Sequence, residues 1–179
     1  MSWQDEATQL LTERYGALVG YARLVCTDPS EAEDAVQEAM IAVFGRARTF
    51  PNLRAAEGYV KRAIVTRTID RARSRKRESE RTLLMREIDL SAGPEQLAVD
   101  SVSVAEALQA LTPRERACVV LRYVEQLTTA ETAHQLGLGE GSVKRYVHDG
   151  SKKLSSLLGV EAMPPEWSGV ATGGGVGRG

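Results

Sequence analysis

The chain has only two cysteines and two histidines among its 179 residues, and aromatic residues make up 5% of it. Cys26 and Cys118 lie far apart in apolar segments, so we predict two reduced core thiols and no disulfide. No apolar run approaches the roughly 20 residues of a membrane span. The N-terminal segment has neither the basic nor the apolar part of a signal peptide. We therefore expect a cytoplasmic protein without membrane insertion.

Patterns typical of catalysis are also missing. The sequence has no glycine-rich phosphate loop, and its histidines, His134 and His148, do not form a metal-spaced set with the cysteines. No Ser/His/Asp or Cys/His arrangement is suggested. We expect no enzymatic activity, no catalytic residue, no metal, no cofactor and no small-molecule substrate.

The net charge of −1 conceals a strong segregation of charge. Residues 28–38 contain five acidic residues and no basic one, whereas residues 61–77 contain eight basic residues and a single acidic one. Such asymmetry indicates one surface for a basic protein partner and another for a polyanion.

Apolar residues recur at steps of three and four, which predicts an all-α protein with two small helical domains joined by a flexible linker. The predicted boundaries are 7–77 for the first domain, 78–100 for the linker, 101–159 for the second domain and 160–179 for a flexible glycine-rich tail. In the first domain we expect one helix to begin after an N-cap at Ser30 and another to run from Arg54 to Arg75.

The second domain is predicted to contain a helix-turn-helix. Thr112 with Glu115, and Thr128 with Glu131, form capping boxes that mark two helix starts. Gly137 supplies the left-handed residue that ends the second of these helices. The helix that follows would expose Lys144, Arg145, His148 and Lys152. A basic helix after a tight glycine turn is typical of a reader of the DNA major groove.

Two polar faces stand out in the first domain. Asp34, Gln37 and Glu38 share a helix face, where neighbouring carboxylates repel by a few tenths of a kcal/mol. An ordinary solvated face is the more common interpretation of such a pattern, and an acidic docking surface for a basic partner is the alternative. On the next helix one stripe combines an aromatic ring with cations: Tyr59, Arg62, Thr66, Asp70 and Arg73. Arginine binds phosphate and an aromatic ring stacks on an unpaired base for about 1–3 kcal/mol, so this stripe favours single-stranded nucleic acid. A surface helix with a buried tyrosine is the alternative.

Three segments in this order resemble the extracytoplasmic-function sigma factors of bacterial RNA polymerase. They are AEDAVQEAMIAVF (32–44), YVKRAIVTRTIDRARSRKR (59–77) and LTPRERACVVLRYVEQLTTAETAHQLGLGEGSVKRYVHDGSKKL (111–154). The resemblance implies a region 2, a linker and a region 4. It also implies a transcription initiation factor that directs core RNA polymerase to promoter DNA. The implied partners are the clamp helices of the largest subunit, the flap of the second-largest subunit and an anti-sigma factor.

The resemblance also implies roles for individual residues. Those that match the family's polymerase-binding positions are Asp34, Gln37 and Glu38. Those that match positions for opening and reading the −10 element are Phe50, Asn52, Tyr59, Arg62, Thr66 and Arg73. Those expected to read the −35 element, or to lie near its phosphates, are Ser142, Lys144, Arg145, His148 and Lys152.

Several positions depart from the family pattern. Tyr59 stands where tryptophan is common, and Thr66 where asparagine is common. Arginines usual in the last helix are replaced by Tyr146, Asp149 and Ser151, which predicts weaker DNA binding with a flatter salt dependence. Asp149 could instead accept a hydrogen bond from cytosine N4 if it faces the groove. Gly150 lowers helix propensity by about 1 kcal/mol relative to alanine, so we expect a bend or fraying there.

Two other functions fit part of the sequence. A one-component helix-turn-helix repressor or activator would bind its operator without polymerase, usually as a dimer, but no dimerisation helix is evident after Leu158. A protein-interaction module with a basic docking helix would leave the helix-turn-helix unexplained.

Overall fold

The computed structural model describes residues 2–85 and 103–159, which fold as two compact units, one within Met1–Ser101 and one within Val102–Gly179. Both units consist of α-helices, and no strand occurs in the described residues, which confirms the predicted all-α class. The predicted tail over 160–179 and most of the predicted linker, residues 86–100, lie outside the described residues.

The first unit is built around a pair of packed helices. Its elements are α1 (Trp3–Glu13), α2 (Tyr15–Val25), a 3-10 turn (Pro29–Glu31), α3 (Ala32–Phe44) and α4 (Leu53–Met85). α3 packs along α4, and α2 contacts both helices. Fully buried aliphatic side chains fill the space between them, among them Leu18, Val36, Val60, Ile64 and Val65. Each such side chain stabilises the fold by roughly 1.5–3 kcal/mol relative to its exposure to water.

The start of α3 differs from the prediction. Asp28, and not Ser30, provides the side-chain cap, because its carboxylate accepts a hydrogen bond from the Ser30 backbone N–H at 2.9 Å. Pro29 then begins the 3-10 turn, at a position where the missing N–H has no helical partner to lose. Glu31 becomes the N-cap residue of α3.

α4 extends to Met85, the last described residue of the first unit, whereas the sequence predicted an end near Arg75. Residues 78–85, assigned to the linker by the prediction, are therefore helical. No glycine or proline occurs between Gly58 and Gly93, and the segment is rich in arginine, lysine and glutamate, which have high helix propensity. Residues 73–82 of α4 are exposed.

The second unit has α5 (Val104–Gln109), α6 (Pro113–Tyr123), α7 (Thr129–Leu136) and α8 (Glu140–Leu158). Both predicted capping boxes are present, and a third, Ser103 with Glu106, begins α5. α6 is the central helix, with every residue from 115 to 121 buried. α8 packs on α5, α6 and α7.

A buried arginine holds the turn between α5 and α6. Arg116 is only 1% exposed. Its guanidinium donates hydrogen bonds to the carbonyl oxygens of Leu108 (2.8 Å), Gln109 (3.3 Å) and Leu111 (2.9 Å). These bonds connect carbonyl groups at the end of α5 and in the turn that follows it to α6.

The described residues include no helix long and apolar enough to cross a membrane. They also include no group of three or more His, Cys, Asp or Glu side chains that could hold a metal ion. Cys26 and Cys118 are free and buried, as predicted. Burial raises the pKa of the Cys118 thiol to about 12.

Candidate nucleic-acid interface

An open groove of about 860 Å³ runs along α3 and α4 in the first unit. Six arginines line it: Arg46, Arg48, Arg62, Arg67, Arg71 and Arg75. Its acidic lining residues are Glu38, Asp70 and Glu78. A concave surface with this excess of guanidinium groups attracts a polyanion, and the low-dielectric walls concentrate the field.

One part of the groove presents an aromatic ring between two cations. Tyr59 is 40% exposed, and the guanidinium carbons of Arg48 and Arg62 lie 5.0 and 5.5 Å from its ring centroid. The Phe50 ring packs at a tilt against the Tyr59 ring, with 5.0 Å between the two centroids. Phe44 packs edge-on against Phe50 at 5.6 Å between centroids. This platform, formed by Tyr59, Arg48 and Arg62, combines a surface for base stacking with two phosphate-binding groups.

The loop that carries Phe50 is fixed by one residue of α1 and by one residue of its own. The buried Glu6 carboxylate on α1 accepts the Phe50 backbone N–H at 3.1 and 3.4 Å. At the end of the loop, the side-chain oxygen of Asn52 accepts the Ala55 backbone N–H at 2.9 Å, which caps α4. Glu6 and Arg48 were not predicted as site residues, because only the folded chain brings them to Phe50 and Tyr59.

The residues expected to contact a −10 element are only partly brought together. Tyr59, Arg62 and Thr66 line the groove, and the Thr66 hydroxyl donates to the Arg62 carbonyl oxygen at 3.0 Å. Arg73 lies in the exposed stretch of α4. Phe50 and Asn52 support the platform through packing and capping.

The residues expected to dock polymerase lie on α3. Asp34 and Gln37 are exposed. Glu38 pairs with Arg71 and, at 3.4 Å, with Arg67 of α4, so it is shared between the α3 face and the groove. Ile41 follows on the same face by helical spacing and is 72% exposed. Ile41 was not predicted as part of this face, although a position seven residues after Asp34 lies on the same side of a helix.

The second unit contains a helix-turn-helix formed by α7 and α8. Gly137 has φ +62°, as predicted, and ends α7 in the left-handed conformation. Gly139 is the N-cap residue of α8. Lys144, Arg145, His148 and Lys152 are exposed on α8, whereas Ser142 is half-buried. The exposed set forms one basic face, in the position that the second helix of this motif uses to enter a major groove.

Tyr146 orients cations beside this basic face. Its hydroxyl accepts a hydrogen bond from Arg114 of α6 at 3.3 Å, and the Arg145 guanidinium lies 5.2 Å from its ring centroid. The hydrogen bond from Arg114 lowers the pKa of the Tyr146 phenol. The next polar pair is His148 with Asp149, whose Nδ1 and Oδ1 atoms are 3.2 Å apart. Asp149 therefore lies at the edge of the basic face.

The opposite side of α8 explains two of the unusual residues. Gly150 is buried, and a Cβ added there would lie 2.8 Å from Cγ2 of Val119 on α6. The hydroxyl of Ser151 lies 3.2 Å from that of Tyr123, also on α6. The predicted bend at Gly150 is wrong, because α8 is a continuous helix over Glu140–Leu158 and the glycine allows it to approach α6 closely.

Comparison with known proteins agrees with this architecture. Residues 10–78 match the family described as Sigma-70 region 2, and residues 101–154 match Sigma-70, region 4. The RNA polymerase sigma-E factor of Streptomyces coelicolor is 34% identical over 153 residues, covering 86% of this chain and 86% of that protein. The chain belongs to the extracytoplasmic-function family of RNA polymerase sigma factors.

Other proteins similar to this sigma factor also match most of its chain. The ECF RNA polymerase sigma factor SigM of Mycobacterium tuberculosis is 29% identical over 151 residues, covering 84% of this chain and 76% of SigM. The sigma factor RpoE of Bartonella quintana, solved in complex with the anti-sigma factor NepR, has a TM-score of 0.61 at 21% identity. That match covers 88% of this chain and 99% of RpoE, and it shows a shared fold.

Proposed function

We propose that this sigma factor directs core RNA polymerase to promoters by binding the −10 element in the α3–α4 groove and the −35 element with α8. The observation that carries the proposal is the exposed Tyr59 ring with Arg48 and Arg62 within 5.5 Å of its centroid. A ring flanked by cations stacks on an extruded base while the guanidiniums bind the adjacent phosphates. Binding energy of this kind offsets the few kcal/mol needed to unstack each base.

The exposed α3 face is proposed as the polymerase-binding surface. Asp34, Gln37 and Glu38 supply acidic and polar groups, and Ile41 adds an apolar side chain that is 72% exposed in the free protein. An apolar anchor surrounded by polar groups is a common arrangement at the centre of protein interfaces. We assign this face to the clamp helices of the largest subunit. The flap of the second-largest subunit is assigned to the second unit on family grounds.

The basic face of α8 is proposed to contact the −35 element. Lys144, Arg145 and His148 lie within the first half of α8, where helix-turn-helix proteins contact base edges, and Lys152 lies further along, where it reaches phosphate. We further propose control by an anti-sigma factor in the cytoplasm. The related RpoE of Bartonella quintana was solved with such a partner.

Run-off transcription tests the proposal directly. Purified bacterial core polymerase is combined with the full chain and a pool of genomic fragments, and discrete transcripts are expected only when the chain is present. Tyr59→Ala should then reduce open-complex formation by about 5- to 150-fold, the equivalent of losing 1–3 kcal/mol of stacking. Tyr59→Phe is the matched control and should retain most activity, because its ring still stacks.

The opposite result would favour a different function. Absence of transcripts, together with tight operator binding by the chain alone, would identify a one-component repressor or activator. Equal activity of Tyr59→Ala and Tyr59→Phe would show that the platform does not bind the melted strand.

A further inference from the structure

Two arginines from different helices converge on the Tyr146 side chain. Arg114 of α6 donates to its hydroxyl at 3.3 Å, and the guanidinium carbon of Arg145, the preceding residue of α8, lies 5.2 Å from the ring centroid. Both arginines lower the pKa of the phenol, the hydrogen bond from Arg114 most of all. Neither forms an ion pair with a carboxylate in the described part of the chain. A guanidinium has five N–H donors, so most donors of both arginines remain available to a ligand.

Tyr146 itself is fixed by the core of the second unit. Its ring packs against the buried cluster of Cys118, Ala133 and Val143, and Arg114 holds its hydroxyl end. Because the ring is held at both ends, an arginine that lies over its face is restricted as well. A side chain that is already held near its bound geometry loses less conformational entropy when it binds. The structure therefore pre-organises Arg145.

Arg145 differs in this respect from the exposed lysines of α8. Lys144 and Lys152 make no ion pair or ring contact with any other described residue. A lysine ammonium is a point charge on a flexible stem, whereas the planar guanidinium presents a rigid fork of donors. A fork held in one orientation matches the paired acceptors of a guanine edge, whereas a flexible point charge suits phosphate. The restraint on Arg145 therefore favours the reading of a base.

We propose that Tyr146 is a positioning residue for promoter specificity. It holds Arg145 in the orientation in which the guanidinium reads one base pair of the −35 element, and Arg114 fixes Tyr146 from α6. The inference rests on the proposed function, since it takes the ligand to be the −35 duplex. The family usually has an arginine at the position of Tyr146, so this chain replaces one cation by a residue that orients the neighbouring one.

The test uses the holoenzyme, formed by the full chain and core polymerase, and a promoter identified by run-off transcription. The upstream element of that promoter is randomised one base pair at a time, and the bound fraction of each sequence gives the base preference at every position. Arg145→Ala should abolish the preference at one base pair, which identifies the base pair that Arg145 reads. Tyr146→Leu should reduce the preference at that base pair by about two- to ten-fold and leave the other positions unchanged.

Further variants separate positioning from a general loss of folding. Tyr146→Phe keeps the ring beside Arg145 and loses the bond to Arg114, so it should retain more of the preference than Tyr146→Leu. Arg114→Met removes the same bond, so adding it to Tyr146→Phe should cause no further loss of preference. Tyr123→Leu is the matched control, because it removes a half-buried ring that bonds to Ser151 on the opposite side of α8. It should leave the preference at the Arg145 base pair unchanged.

The salt dependence of binding provides a second readout. Lys152→Gln, at a position assigned to phosphate, should weaken binding to all sequences alike and lower the log–log salt slope by about 0.9. Tyr146→Leu removes no charge, so its salt slope should equal that of the wild type. A purely structural role of Tyr146 would instead lower the affinity for every sequence by the same factor.

Three results would overturn the inference. They are an equal loss for every sequence in Tyr146→Leu, an unchanged preference at the Arg145 base pair in that variant, and an Arg145→Ala variant that relaxes no base pair. Each can occur while the wild-type holoenzyme still shows an upstream base preference, and the proposed function then stands. A wild-type holoenzyme without any upstream preference would contradict both the proposed −35 contact and this inference.

Discussion

The two units use arginine in opposite ways. In the first unit, arginines surround an open groove, and Glu31 and Glu38 form ion pairs with three of them at the surface. In the second unit, Arg116 is buried and its hydrogen bonds go to backbone carbonyls. A partly exposed ion pair contributes little to stability and exchanges readily. A buried guanidinium is costly to leave unpaired, so its bonds fix the fold.

The two units are also stabilised in different ways. The second unit fixes its helix starts with three capping boxes and joins α6 to α8 through a Glu115–Lys153 pair at 2.8 Å. The first unit relies on a larger aliphatic core. We therefore expect polar substitutions to destabilise the second unit and to change binding in the first.

The largest expected effect is that of Arg116→Met on the second unit. The substitution removes a buried guanidinium that donates to three carbonyl oxygens around the α5–α6 turn, which should cost about 3 kcal/mol. Cys26 and Cys118 provide one buried thiol in each unit, so their labelling rates report opening of each unit separately. Cys118 should be labelled about 100-fold faster in the variant, since 1.4 kcal/mol is a factor of ten.

Arg114→Met is the matched control for this prediction. It removes a guanidinium from the same helix that is only half-buried and bonds to Tyr146, so the loss should stay below about 1.5 kcal/mol. An equal acceleration of Cys26 labelling in Arg116→Met would show that the two units do not open independently. Unchanged Cys118 labelling would show that Arg116 does not hold α5 in place.

A smaller effect is expected for Gly150→Ala in α8. Alanine raises helix propensity by about 1 kcal/mol, but its Cβ would lie 2.8 Å from Val119 Cγ2, and overpacking typically costs about 1–3 kcal/mol. We expect a net loss of about 1 kcal/mol in urea denaturation followed by Cys118 labelling. Gly141→Ala, in the same helix with open space around it, should be neutral or stabilising. Equal stabilisation by both substitutions would contradict the close-packing role of Gly150.

The smallest effect concerns the pH dependence of the second unit. Burial opposes ionisation of Glu115, but hydrogen bonds from Lys153 and the Thr112 backbone outweigh it, so the pKa of Glu115 lies below its ordinary value of 4.5. A lowered folded-state pKa stabilises the fold above the unfolded-state pKa. This contribution is lost as the pH falls from about 5 through the lowered value.

Lys153→Met tests this pH dependence. Without the cation, the second unit should be less stable at neutral pH, and its remaining stability should fall less between pH 5 and acid. Chemical denaturation at a series of pH values measures both quantities. Parallel acid limbs for wild type and Lys153→Met would show that the pair with Lys153 does not lower the pKa of Glu115.

Features that depend on neighbouring residues were predictable from the sequence. The capping boxes at Thr112 and Thr128 and the left-handed Gly137 are confirmed, because each depends on residues within one helical turn. The end of α4 was predicted too early because a charged, polar segment was interpreted as linker from residue 78 onward, although it contains no glycine or proline before Gly93. Ser30 was mistaken for a cap because Asp28, two residues earlier, offers the same chemistry.

The candidate site was predictable in composition and not in arrangement. Tyr59, Arg62 and Glu38 were predicted from the sequence, but a cation beside the ring could not be distinguished there from one paired with a carboxylate. That distinction depends on contacts between residues far apart in the chain, such as Arg71 with Glu38, 33 positions apart, and Phe50 with Glu6, 44 positions apart.

Local sequence was sufficient to predict the helical class from its periodicity and the helix-turn-helix from its caps. It also shows the separation of acidic from basic segments directly. Only the folded chain shows which arginines lie beside Tyr59, which pair with glutamates, and why glycine stands at position 150. These outcomes depend on which helix faces meet, and at what distance. That geometry is set by the packing of the whole unit and not by the conformational preferences of neighbouring residues.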